Sequence, residues 1–177
     1  MNVVDLDLPG LKLVEPKVFG DARGQFLETW NAQRYAAAGI PGPFVQDNLS
    51  RSRRNTVRGL HWQDPNAQGK LVSVVAGAVW DVVVDIRRDS PTYGKWYGVE
   101  LSADNRRQLW VPAGLAHGFA VLGDFADFAY KVTGPYSPKD EHVLRWNDPD
   151  LGIDWKIDPA AAILSERDAN APGLAGI

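Results

Sequence analysis

Cysteine is absent from the 177-residue chain. That gap excludes disulfides, thiolate zinc sites and cysteine nucleophiles together, and it fits a reducing compartment. A strong excess of either charge is missing too: 19 Lys and Arg stand against 22 Asp and Glu, for a net charge of −3 and a pI near 5.6. Outside "RSRRNTVR" the basic residues are scattered, so no stripe exists to track a phosphate backbone, and nucleic acid is not an expected partner. No uninterrupted apolar run is long enough to span a bilayer. The opening "MNVVDLDLPG" lacks both the basic start and the apolar stretch of a signal peptide. A cytoplasmic protein with no membrane partner is expected. Repeats, low-complexity segments and linkers are also missing, and a chain of this length buries about 70% of its unfolded surface around one core. One domain over residues 1–177 follows.

What is present is a succession of short β-type runs cut by Gly, Pro, Asn and Asp, the texture of an antiparallel sandwich or barrel. "KLVSVV", "AVWDVVVDI", "KWYGVEL", "RQLWVP", "GFAVL" and "DFAYKV" read as strands. In the second, alternation places Trp80, Val82, Val84 and Ile86 on an apolar face and Asp81, Val83 and Asp85 on a more polar one. Ala76-Gly77 offers a tight turn between the first two strands. Helix is scarce: "NAQRYAAAG" can run from an Asn31 cap to Gly39, and "DPAAAI" carries Pro159 at a plausible first turn.

The candidate chemistry lies at strand ends. His61, in "VRGLHWQ", precedes a loop with Pro65 and Gly69, and His117 sits in "VPAGLAHGF". In a β-barrel such positions open onto the mouth, where ligands bind. An isolated histidine is ordinarily a hydrogen-bonded structural imidazole; zinc or iron needs three or four protein ligands, and His142 would have to join from a distant charged loop, so acid–base chemistry without a metal is the more economical functional reading of His61. Each other candidate also has an ordinary account. Tyr130 alternates with Phe128 and Val132 as a core tyrosine would, Ser165-x-x-Asp168 resembles a capping box, and Arg23 and Arg58 fit solvated or ion-paired surface groups.

In combination they carry more. "EPKVFGDARGQFLETWN", "FVQDNLSRS", "VRGLHWQ", the long block from "QGKLVSVV" to "VPAGLAHGF", "YKVTGPYSPKDEHVLRWNDPDLGIDW" and "LSERDANAP" occur in this order. From about Leu11 to Pro172 the chain resembles the dTDP-4-dehydrorhamnose 3,5-epimerase family. The resemblance implies an all-β, cupin-type jelly roll with a few short helices. It further implies a homodimer in dTDP-L-rhamnose synthesis, acting on dTDP-4-keto-6-deoxy-D-glucose with neither metal nor organic cofactor. His61 matches the family's proton acceptor, Asp168 the carboxylate that orients it, Lys70 the group facing the enolate oxygen, and Tyr130 the proton donor on the other ring face. Arg23, Glu28, Gln46, Asp47, Asn48, Arg58, Lys70, His117, Glu141 and Arg167 fall on the family's ligand-contact positions, and part of each pocket is implied to come from the partner subunit.

Three positions depart from the common pattern: Trp62 replaces a smaller aromatic, Ser73 an arginine or similar residue, and Pro135 a second tyrosine. Epimerisation at only C-3 or only C-5 is the near alternative. A non-catalytic nucleotide-sugar-binding jelly roll would not need His61, Lys70, Tyr130 and Asp168 together.

Overall fold

Most strands form where β-branched and aromatic residues cluster, and all named strands pair antiparallel. A computed structural model describes all residues from Met1 to Ile177. In chain order the elements are β1 (Asn2–Asp5), β2 (Lys12–Glu15), β3 (Val18–Asp21), β4 (Gly24–Leu27), α1 (Ala32–Ala37), β5 (Gln46–Arg53), β6 (Val57–Gln63), β7 (Lys70–Asp85), β8 (Trp96–Ser102), β9 (Gln108–Val111), β10 (Leu115–Val132), β11 (Glu141–Val143) and α2 (Glu166–Ala169).

Two long strands, β7 and β10, organise the molecule. They pair with each other along nearly their whole length, and each takes different neighbours at its two ends. The first half of β7 pairs β9, which continues to β2 and β1, and the second half of β10 pairs β5. The second half of β7 pairs β8, while the first half of β10 pairs β6 and then β11. The result is two sheets sharing their central strands, a jelly roll of the cupin type.

This arrangement overturns the turn expected at Ala76-Gly77. A hairpin there would pair residues 70–75 with those after 77, yet both segments pair with β10 instead. Gly77 is needed for a different reason: its φ is +74°, and a Cβ there would stand 2.0 Å from the Phe125 carbonyl oxygen. It marks the irregularity at which the paired strands pass from one sheet to the other. Likewise "GFAVL" and "DFAYKV" belong to the single strand β10.

Apolar and polar faces were also expected on β7, but both faces are covered. Val79 and Val83 join Leu101, Leu109, Phe119 and Phe128 in the core between the sheets. Val82 and Val84 pack on the reverse side with Val57, Leu60, Trp146 and Trp155. Asp81 and Asp85 are fully buried, and each is compensated. Asp85 accepts from Arg87 Nε at 2.9 Å, Ser90 Oγ at 2.6 Å and Thr92 Oγ1 at 2.6 Å. Burial pushes its carboxyl up, and these donors hold it well below the usual carboxylate range.

Helix α1 forms as its sequence predicts. Asn31 caps it, accepting from Arg34 N at 3.1 Å, and Gly39 follows its end at φ +79°. Six residues are too few for a stable isolated helix, so docking holds it. Tyr35 is buried with Val14, Ile40, Leu71 and Trp110, and its hydroxyl lies 2.8 Å from Gln108 Oε1. "DPAAAI" forms only one 3-10 turn, Pro159–Ala161, capped by Asp158.

Candidate active site

A cavity of about 340 Å³ opens between the two sheets. Alternation along β5 turns Gln46, Asn48 and Ser50 toward it and leaves Asp47 on the outside. Arg58 and His61 enter from β6, Lys70 from the start of β7, and His117, Phe128 and Tyr130 from β10. His61 comes from the sheet containing β6 and β11, whereas Tyr130 lies where β10 pairs β5 and the first half of β7. The two side chains therefore reach the cavity from different sheets.

His61 is held by Asp168, whose Oδ1 is 2.7 Å from its Nε2. Ser165 caps α2, accepting from Asp168 N at 3.1 Å. The Asp168 carboxylate reaches His61 while its amide stays on the cap. Asp168 is buried; burial pushes its carboxyl up, but hydrogen bonding to His61, the imidazole's charge, Ser165 and the Gly59 amide bring it below the usual value. An ionised carboxylate only accepts, so Nε2 carries a proton; in the neutral ring the lone pair is then on the other imidazole nitrogen.

Lys70 donates to the His61 carbonyl at 3.3 Å. Burial pulls its ammonium down to about 8, opposed by the nearby charges of Glu141 and Asp81. Behind it His117 Nε2 lies 3.0 Å from both oxygens of Asp81. Burial raises the Asp81 carboxyl, while His117 and Lys70 draw it down. Tyr130 is half-buried beside Phe128, their ring centroids 6.0 Å apart. Burial and then Glu141 raise its phenol, with Arg58 opposing, which keeps the hydroxyl protonated at neutral pH.

Polar groups complete the mouth. Arg58 Nε donates to Ser52 Oγ at 2.9 Å. Glu141 accepts from the Tyr136 hydroxyl at 3.1 Å and from Arg167. A second cleft, about 410 Å³, adjoins the other side of the His61–Asp168 pair and is also lined by Arg58 and Arg167. The largest cleft, about 1310 Å³, runs outside β11 along the C-terminal segment. His61, Lys70, His117 and Tyr130 do not line it, so the chemistry belongs to the smaller cavity.

Three expected ligand positions stand apart. Arg23 lies on the β3–β4 hairpin, 91% exposed and paired with Asp21 at 2.6 Å. Glu28 pairs with Arg34 at 2.5 Å. Asp47 takes Lys131 Nζ at 2.8 Å on the outer face of β5. The departing residues also find places: Trp62 stacks on His142 at 5.3 Å, Ser73 Oγ donates to the Ala129 carbonyl at 3.3 Å, and the Pro135 carbonyl accepts from Gln63. His142 sits on β11 opposite Trp62 rather than in a distant loop. No group of three or more His, Asp and Glu side chains is arranged to hold a metal ion.

Asp81 and Tyr136 were not among the expected site residues. Asp81 gave a signal, one of two acids in the β-branched run "VWDVVVD", but its pairing with His117 depends on β10 lying beside β7. Tyr136 lies in the turn "TGPYSP", where nothing local points toward Glu141.

Comparison with known proteins shows the family and the fold. The dTDP-4-dehydrorhamnose 3,5-epimerase family profile matches residues 5–176. The enzyme of that name from Pseudomonas aeruginosa is 51% identical over 99% of this chain and 97% of its own. A solved structure of dTDP-6-deoxy-D-glucose-3,5-epimerase from Legionella pneumophila, in complex with dTDP-4-keto-L-rhamnose, superposes with a TM-score of 0.96. It shares 51% identity over 99% of this chain and 94% of that one. A 3'-monoepimerase from Streptomyces bikiniensis, in complex with dTDP-quinovose, gives 0.90 at 38% identity, covering 96% of this chain and 86% of that one. With a full-length profile match, half its residues shared with such enzymes and the same jelly roll, this chain belongs to the dTDP-4-dehydrorhamnose 3,5-epimerase family.

Proposed function

We propose that the chain inverts C-3 and C-5 of dTDP-4-keto-6-deoxy-D-glucose, giving dTDP-4-keto-L-rhamnose for dTDP-L-rhamnose synthesis. The observation that carries this reading is the carboxylate-held imidazole of His61 and the phenol of Tyr130 entering one cavity from different sheets, with Lys70 beside them. The C-4 ketone acidifies the hydrogens on both neighbouring carbons. His61 removes one through its free ring nitrogen, and Asp168 stabilises the imidazolium that forms. The electron pair passes to the C-4 oxygen, where the Lys70 ammonium meets the developing charge. Tyr130 then delivers a proton to the opposite face of the carbon, and the configuration inverts. Return from the His61 side would regenerate the substrate.

Arg58 suits the diphosphate through charge-assisted hydrogen bonds, with Gln46, Asn48, His117, Glu141 and Arg167 around the remaining polar groups. Arg23 and Glu28 lie outside their own cavity and are assigned to the pocket of a partner subunit, so the working unit is a homodimer. Supporting this, the hairpin bearing Arg23 also exposes Phe19 and Phe26, the latter at 69%.

The test is incubation with dTDP-4-keto-6-deoxy-D-glucose in deuterium oxide, followed by NMR. Deuterium is expected at C-3 and C-5, and His61→Ala should abolish both exchanges while leaving dTDP affinity nearly intact. Label at one carbon only would make the chain a single-centre epimerase. Wild-type exchange in His61→Ala would remove His61 as the base.

A further inference from the structure

Arg58 and His61 are three residues apart, so strict alternation would point them to opposite sides of β6. Both nevertheless line the cavity. The ladder with β10 accounts for this: His61 pairs with His117, whereas Arg58 pairs with Phe119. Three steps along β6 thus match two along β10, and the extra residue is taken up at Gly59-Leu60, opposite Gly118. Leu60 is fully buried with Val57 and Leu144, which fixes the direction of the kink.

The two strands touch here through bare backbone. A Cβ on Gly59 would stand 2.6 Å from Gly118 Cα and 2.8 Å from the His117 carbonyl oxygen. One on Gly118 would stand 2.6 Å from the Arg58 carbonyl oxygen. Gly59 also has φ +125°, in the region that favours glycine. Its amide is among the groups that lower the Asp168 carboxyl, the group that holds His61.

We infer that this bulge, seated on Gly118, is the device that brings Arg58 and His61 to one face of β6. Gly59 and Gly118 are thereby positioning residues for the reaction. The functional roles given to Arg58 and His61 rest on the epimerase reading; the geometry does not. A bulge beside a site re-aims side chains in this way. Gly118 lies outside the left-handed region, so Gly118→Ala adds the clash with Arg58 without left-handed strain.

Gly118→Ala should lower kcat about 100-fold, the scale of an ångström's misplacement, and raise KM because Arg58 moves as well. In 15N NMR its His61 ring signals should lose the pattern of an imidazole bound to a carboxylate. Gly98→Ala is the comparator: its Cβ would stand 2.7 Å from the Trp80 ring, away from the cavity. It should lower the melting temperature while keeping wild-type kcat and ring signals. Wild-type kcat and ring signals in Gly118→Ala would overturn the inference, as would an equal loss of kcat in Gly98→Ala.

If Gly118→Ala does not fold, the wild-type chain supplies the measurement. Its Gly59 amide shift should move together with the His61 ring signals as pH is varied. A Gly59 amide shift that does not follow them overturns the inference. Wild-type protein inactive on the nucleotide sugar would instead sink the epimerase reading, and the ring and amide signals would still decide the role of the bulge.

Discussion

Replacing Lys70 by methionine separates the cost of its charge to the fold from its contribution to chemistry. Burial pulls the ammonium from 10.5 to about 8, even though Glu141 and Asp81 oppose the fall. That difference corresponds to about 3 kcal/mol, spent on keeping the group charged in the folded chain below pH 8. Between about 8 and 10.5 the unfolded chain still binds the proton that the folded chain has released. Wild-type stability from this group therefore rises with pH across that window, and the cost is complete below it. Methionine keeps the length without the charge, so Lys70→Met should be more stable at pH 7 by up to about 3 kcal/mol. The gain should shrink toward pH 10.5. Turnover should move the other way, falling about 10²- to 10³-fold with the loss of a donor at the enolate oxygen. Urea unfolding at pH 7 and pH 10, together with NMR-detected deuterium exchange, measures both effects. Lower stability at pH 7 combined with near-wild-type turnover would refute the reasoning on both counts.

Tyr130→Phe keeps the ring beside Phe128 and removes only the hydroxyl, so the melting temperature should change little. His61 can still remove and return protons on one face, and deuterium incorporation should outlast inversion; equal losses with a collapsed melting temperature would make Tyr130 a packing residue. Mixing Glu28→Ala with His61→Ala under subunit exchange tests the shared pocket. Recovered activity in heterodimers is expected, and none in verified heterodimers would mean that Glu28 serves its own chain.

Some of this architecture was legible residue by residue. The helix between Asn31 and Gly39 is encoded by its own cap and terminator, and the β-branched runs became strands because alternating side chains and extended backbone are local preferences. The long ordered blocks, read as a family resemblance, carried the jelly roll and the epimerase assignment. Ala76-Gly77 shows where local reading ends, since the positive φ that suits a turn also suits a bulge. Which of the two forms depends on β10, with which both segments of β7 pair. Asp81 and Asp85 look like a solvated face in the sequence. They are buried because His117 on one side, and Arg87, Ser90 and Thr92 on the other, satisfy them there. Asp168 reads locally as the third residue of a capped turn, and Ser165 does cap it. Its contact with His61 spans 107 positions, and the facing of Arg58 with His61 depends on a bulge that alternation alone would not supply. Capping and alternation act over a few residues, so the sequence by itself determined α1 and which runs are β-type, but not their joining into the continuous β7 and β10. Strand pairing closes long loops at an entropic cost that only burial of the whole core offsets, and so the meeting of His61, Asp168, Lys70 and Tyr130 was decided by the tertiary structure.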